Sequence, residues 1–233
     1  MGKGFDQYAA SYDAWFLDNT NVLYSEVALV ADTVKDAGRV LSVGCGSGLF
    51  EKIMRDEMGI DIRDGVEPSA PMAEIARKRG MEVIEATAED FDYPSGQFDT
   101  ILFNGSPSYI TDLDAVLAKV YAALPSGGRV VLVDVPKESS YGLLYNLAKA
   151  VGTWDHPLLE GTYPPNPYPI EFVNVANWRT TAEKIALLEK NGFTGIVSSQ
   201  TLTRHPLCSD LALEKPSAGH DRGDYVAVTA FKP

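Results

Sequence analysis

Thiols and imidazoles are scarce in this chain, which has two cysteines, Cys45 and Cys208, and three histidines. Two cysteines are too few for a disulfide framework or a tetrahedral thiolate metal site, and they point to a reducing cytoplasm. Positive charge is also short: 20 Lys and Arg stand against 32 Asp and Glu, a net charge of −12. Such a field repels a phosphate backbone and argues against a nucleic-acid partner. The longest basic group, "RKR" at 77–79, reads as the end of a solvated helix. No apolar run approaches the ~18–20 residues that span a bilayer, so no membrane span is expected. The opening "MGKGFDQYAASYD" carries acids and lacks the apolar core of a secretory signal. Repeats and low-complexity segments are absent. What remains, 45% hydrophobic in 233 residues, suits one α/β domain with a full core.

From residue 39 onward, apolar runs alternate with helical periodicity. Strands are expected at 39–44, 61–67, 82–86, 98–103 and 129–135, with helices at 47–58, 69–79 and from 113. Thr111, three residues before Asp114, reads as a helix start. This alternation predicts a parallel sheet with helices on both faces. Before it lie a helix over 22–37 and the aromatic residues Phe5, Tyr8, Tyr12, Trp15 and Phe16 at roughly helical spacing. Between 136 and 178 the regularity fails. "GTWDHPLLEGTYPPNPYPIEF" holds five prolines, too irregular for a sheet interior, and long irregular segments are uncommon unless functional or disordered. Order resumes with a capping box at Thr180 and Glu183, then strands at 194–202 and 225–231 joined by an exposed connection.

The centre of the pattern is "VLSVGCGSGLF" at 40–50. A strand, a turn with Gly44, Gly46 and Gly48, and a helix form a unit that can bring a ligand close to the backbone. A dinucleotide fingerprint is G-x-G-x-x-G, and its third glycine position is Leu49 here. A phosphate-cradling loop would carry G-K-S/T, which is absent. Glu67, 21 residues after Gly46 at the second strand's end, can accept from both hydroxyls of an unphosphorylated ribose. Dinucleotide sites use the same device, so the turn and its acid leave the cofactor open.

Larger stretches narrow it. "VLSVGCGSG", "GVEPSAPMAEIARKRG" and the run 86–134 resemble the motifs of the class I S-adenosylmethionine-dependent methyltransferases. "FDQYAASYDAW" is similar to the N-terminal segment of the branch that includes ubiquinone and menaquinone biosynthesis enzymes. The resemblance covers residues 5–135 and the last helix–strand unit. It implies a Rossmann-like, seven-stranded, mostly parallel sheet with helices on both faces and an antiparallel last strand. It also implies S-adenosylmethionine as cofactor and S-adenosylhomocysteine as product. Carried over residue by residue, Gly44, Cys45, Gly46 and Gly48 would pack against the methionine part and Glu67 would hold the ribose. Pro68 and Met72 would border the adenine, with Ala88 and Glu89 at its polar edge. Thr87 stands where many members have an acid, and a hydroxyl there accepts without charge assistance. Asn104 and Gly105 would lie near the sulfonium, and Tyr12 and Tyr109 would add contacts.

Methyl transfer from a sulfonium is an in-line displacement, so the protein's main task is alignment and exclusion of water. An amine or hydroxyl acceptor would need a base, and His156 in the proline-rich stretch is the candidate. Tyr163, Tyr168 and Trp178 could wall an acceptor pocket. The expected organisation is a single domain over 1–233, with 1–37 as a helical lid and 137–178 as an insertion over the substrate. The expected partner is a small-molecule acceptor, with the chain a monomer or homodimer. The alternatives are a catalytically silent adenosyl-binding subunit and an NAD-dependent oxidoreductase.

Overall fold

The computed structural model describes residues 3–9 and 12–233. Its strands are β1 (Val40–Val43), β2 (Asp64–Val66), β3 (Glu82–Ile84), β4 (Thr100–Asn104), β5 (Arg129–Asp134), β6 (Thr194–Thr201), β7 (Ser217–Ala218) and β8 (Tyr225–Phe231). The helices are α1 (Lys3–Asp6), α2 (Tyr12–Asp18), α3 (Thr20–Val34), α4 (Leu49–Met58), α5 (Ala70–Lys78), α6 (Leu113–Ala123), α7 (Ser140–Val151), α8 (Ile170–Val175) and α9 (Thr181–Lys190). The sheet order is β3-β2-β1-β4-β5-β8-β6-β7. Strands β1 to β5 are mutually parallel, and β8 enters antiparallel to both β5 and β6.

Burial on both faces explains the near-continuous apolar strands. In β4, Ile101 and Phe103 join Leu113, Val116 and Leu117 of α6 in one core. Leu102, pointing the other way, packs with Val27 and Val30 of α3 and Ile53 of α4. The first five strands end together, and their order reverses between β1 and β4. A crevice at the carboxyl ends beside such a reversal is where open α/β sheets take ligands. Gly44, Glu67, Asn104 and Asp134 all sit on that rim.

The structure corrects several expectations. The sheet has eight strands because two residues, Ser217 and Ala218, pair with Gln200 and Ser199 at its edge. Buried Gln200 organises that connection: its Oε1 accepts from Arg222 N and Gly223 N, and its Nε2 donates to Asp221 Oδ1. The start of α6 is capped by Asp112, whose side chain accepts from Ala115 N, rather than by Thr111 with Asp114. Of the aromatic residues near the start, Phe5 falls on α1 and Tyr12, Trp15 and Phe16 on α2, with Tyr8 in the turn after α1. Boundaries elsewhere move by up to three residues, except at 225–231.

The largest departure is inside 137–178. Residues 140–151 form α7, capped by the Ser139 hydroxyl accepting from Gly142 N and closed at Gly152 with φ 79°. The prolines begin only after this helix, at Pro157, so they never interrupt it. With α8 the segment builds its own small core from Tyr141, Tyr145, Ala148, Leu159, Val173 and Trp178. Helix α3, expected within the N-terminal lid, packs on the sheet with Val27, Leu29 and Val30 fully buried. Among the described residues, no helix is long and apolar enough to cross a membrane.

Candidate active site

The turn after β1 is held by Gly44 N and Cys45 N donating to Val66 O at 2.7 and 3.2 Å. Its glycines have different reasons to be there. Gly46 has φ +55°, and a Cβ at that position would reach only the Tyr12 ring, at 4.0 Å. It borders open space. Gly48, φ +70°, faces the other way, where a Cβ would strike Met81 Sδ at 2.7 Å and Ala76 at 3.2 Å. So Gly48 allows the close packing of α4 against α5. The Cys45 side chain lies in a small core with Ala73, Ala76, Met81 and Val83, and burial raises its thiol pKa well above the usual value. Cys45 is a packing residue, not a nucleophile.

Glu67 closes this end of the crevice. It is buried, and Oε2 accepts from Gly46 N at 2.9 Å while Oε1 accepts from Ser69 N at 2.8 Å. Burial pushes its pKa up, and those two backbone donors act in the opposite direction. Each oxygen keeps acceptor capacity for a ligand hydroxyl. The α1 helix is tied alongside, because Ser69 Oγ donates to Asp6 Oδ1 at 2.7 Å. A second clamp joins α2 to the turn: Ser47 Oγ donates to Asp13 Oδ1 at 2.6 Å, and Arg79 pairs with Asp13 Oδ2 at 2.5 Å.

The crevice has three lobes. The largest, ≈ 860 Å³ with its open mouth, holds twelve of the expected site residues: Tyr12, Gly44, Gly46, Glu67, Pro68, Met72, Thr87, Ala88, Glu89, Asn104, Gly105 and Tyr109. That volume suits a nucleoside-sized ligand. Cys45 borders the second lobe, beside Ser47, Phe50 and Glu51, and Gly48 borders none of the three. Two polar groups are engaged locally. Thr87 Oγ1 donates to Asp90 Oδ2 at 2.8 Å, and Glu89 Oε1 accepts from Thr111 N at 2.9 Å. Asn104 Oδ1 accepts from Tyr225 OH at 2.7 Å.

The third lobe, ≈ 440 Å³, meets the first at Tyr12, Gly105 and Tyr109. Its walls are aromatic, with Trp15, Tyr145, Tyr168, Trp178 and Tyr225 among them, and its acids are Glu26 and Asp134. Ring packing locks the walls: Trp15 meets Tyr168 edge-on at 5.0 Å, and Tyr145 lies 5.0 Å from Trp178. Phe172 of α8 lies between Tyr168 and Tyr12, at 5.6 and 5.4 Å, and stacks on Phe5 of α1 at 4.8 Å. Of the expected acceptor-wall residues, Tyr168 and Trp178 are therefore in place. Tyr163 instead packs on Trp154. His156 lies outside all three lobes, and its Nδ1 accepts from Leu158 N in a turn.

The sequence reading missed both acids. Burial and mutual repulsion raise the Glu26 pKa to about 8. Burial raises that of Asp134 to about 6, against the opposing pull of Lys184 and of the Val135 and Ser108 donors. A signal for Glu26 was present: helical spacing puts it on the same face as Val22, Leu29 and Val30, all buried.

A methyltransferase domain model matches residues 17–198. The chain belongs to that family. Its fold and motifs are those of the class I, S-adenosylmethionine-dependent methyltransferases. An uncharacterized protein of Methanocaldococcus jannaschii is 28% identical over 228 residues, 98% of each chain. A demethylmenaquinone methyltransferase of Thermus thermophilus is 29% identical over 118 residues, covering 47% of this chain and 53% of that one. A solved Thermotoga maritima structure, described as a SAM-dependent methyltransferase and possible histamine N-methyltransferase, is 29% identical with a TM-score of 0.83 over 100% of both chains. This methyltransferase's cofactor is S-adenosylmethionine. The large lobe fits it on chemical grounds: a buried carboxylate faces a nucleoside-sized space, beside a glycine with no neighbour above it but a tyrosine ring.

Proposed function

We propose that the large lobe holds S-adenosylmethionine and that this methyltransferase acts on a small-molecule acceptor placed in the aromatic lobe. The bound cofactor supplies an electrophilic methyl group on sulfur. In this reading Glu67 receives the ribose hydroxyls, and Pro68, Met72 and Ala88 border the adenine. Gly44, Gly46, Asn104 and Gly105 surround the methionine end, while Thr87 and Glu89 shape the adenine edge through their own hydrogen bonds. The observation that carries the reading is the adjacency of the two lobes, which share Tyr12, Gly105 and Tyr109 as lining residues. A nucleophile in the smaller lobe then approaches the larger one through an aromatic neck that limits water.

The acceptor is small because the lobe is small and because residues of α2, α3, α7 and β8 enclose it. The Thermotoga maritima neighbour's described acceptor is itself a small molecule, which supports this scale. Helices α1 and α2 act as the cover, since they touch the insertion through Phe5, Tyr12 and Phe172. Free thiols at Cys45 and Cys208 suit a reducing, cytoplasmic setting. The test is transfer of radiolabelled methyl from S-adenosylmethionine to a panel of small metabolites and, separately, to protein and RNA. Label only in the macromolecular fractions contradicts the reading.

A further inference from the structure

The aromatic lobe contains a carboxylate with nothing to answer it. Glu26 is 7% exposed, and no donor among the described residues hydrogen-bonds to it. It lines the cavity and stands against a second buried acid, Asp134. The two acids differ in their surroundings. Asp134 receives a hydrogen bond from Val135 N at 2.9 Å and the favourable field of Lys184 on α9. No cationic side chain offsets Glu26. A buried carboxyl group without a hydrogen-bond partner is costly in either protonation state, so its retention calls for a partner that arrives with a ligand.

The cavity around these acids is lined by Trp15, Trp178, Tyr145, Tyr168 and Tyr225. Aromatic faces attract organic cations, most strongly where water is excluded. An anionic acceptor would be repelled by Asp134, and a neutral one would leave Glu26 unanswered. Resting on the methyl-transfer reading above, we propose that the aromatic lobe takes an alkylammonium acceptor, with Glu26 facing the cation and accepting its proton. In that transfer one N–H bond breaks, an O–H bond forms on the Glu26 carboxylate, and the electron pair stays on nitrogen. The nitrogen is thereby left nucleophilic at the neck of the cavity. Its neutral amine is the form that can be methylated.

The groups facing Glu26 bear on its titration. Asp134 comes from β5, Tyr12 from α2, Tyr141 and Tyr145 from α7, Tyr168 from the insertion, and Tyr225 from β8. None of these is cationic, so an entering ammonium is what draws Glu26 into its charged form. In the empty lobe Glu26 holds its proton at neutral pH, and cation binding then releases it to solvent.

The test uses the full chain saturated with S-adenosylhomocysteine, whose own binding is measured first by calorimetry. No binding at that step counts against the methyltransferase site, whereas binding followed by failure with amines counts only against this inference. n-Butylamine and 2-phenylethylamine are then titrated beside n-butanol, 2-phenylethanol and 3-phenylpropanoate, with Trp15 and Trp178 fluorescence as the signal. At least one amine is expected to bind tenfold or more tightly than its alcohol, and the carboxylate not at all. Calorimetry in two buffers of different ionisation enthalpy is expected to show net proton release at pH 7. Glu26→Gln is expected to remove that release and to weaken amine binding at least tenfold, with alcohol binding within twofold. Equal or tighter binding of the alcohols or the carboxylate, or an unaltered amine affinity in Glu26→Gln, overturns the inference. If that variant fails to fold, the amine-to-alcohol ratio and the proton count in the wild type decide.

Discussion

At the Glu67 end of the crevice the wall is mainly backbone: a glycine turn, two amide N–H groups on a carboxylate, and strand ends fixed by the sheet. At the Glu26 end the wall is side chain, brought together from α2, α3, β5, α7, β8 and the segment between α7 and α9. The first end depends on φ angles and hydrogen bonds that a few neighbouring residues set. The second depends on packing between residues as far apart as Tyr12 and Tyr225. A backbone-built lobe suits one invariant ligand, and a side-chain-built lobe can change its acceptor by a few substitutions. That division matches a cofactor common to a family and an acceptor particular to a member.

The sharpest way to break this comparison is at Gly46. Gly46→Val places branches where only the Tyr12 ring now borders the space, at a φ of +55° that β-branched residues avoid. It should weaken S-adenosylhomocysteine binding by more than about 100-fold, roughly 2.7 kcal/mol. Amine binding to the aromatic lobe, followed by tryptophan fluorescence, should change far less. Glu67→Ala comes next, with an expected loss of about 1.5–3 kcal/mol in S-adenosylhomocysteine affinity, the range for hydrogen bonds to a charged group. Calorimetry reads both, and unchanged affinity in either variant would break the assignment of the large lobe.

At the other end the lever is pH. The Glu26 carboxyl has its pKa raised from 4.5 to about 8, so the folded protein holds a proton there that the unfolded chain has released. Stability is therefore intact below pH 4.5 and falls as pH rises toward 8, by up to about 1.4 kcal/mol per pH unit. Glu26→Gln has no such proton to lose. Its denaturation midpoint should match the wild type near pH 4.5 and exceed it by a growing margin between pH 6 and 8. Asp134, raised to about 6, is coupled to Glu26, so the two proteins are compared most cleanly between pH 7 and 8, where Asp134 is already mostly ionised. Parallel stability curves would show that Glu26 titrates normally. The smallest effect is expected at His156, which caps a turn away from the cavity: His156→Ala should leave turnover within twofold and stability within about 0.5 kcal/mol.

The same division governs what could be read from the sequence. The strand alternation, the glycine turn and Glu67 were legible because each rests on local chemistry, and twelve of the expected residues do line one lobe. Gly48 and Cys45 were legible as members of the turn but not in their orientation, which depends on Met81, Ala76 and Ala73 packing from α5 and the segment after it. Helix α7 was hidden by the prolines and aromatics that follow it, although Ser139 and Gly152 mark its ends. Glu26 and Asp134 read as an ordinary helix acid and the end of a strand, and only the fold brings them into one cavity. His156 drew attention as a histidine in an irregular stretch, but its turn directs Nδ1 to Leu158 N.

The most direct measurement of the central claim is a calorimetric titration of wild type and Glu67→Ala with S-adenosylhomocysteine, repeated with the amine probes present. The account predicts one site per chain, an affinity at least tenfold weaker in Glu67→Ala, and simultaneous occupancy of both lobes in the wild type. Equal affinity in the two proteins, or competition between S-adenosylhomocysteine and the amines for one space, would contradict it.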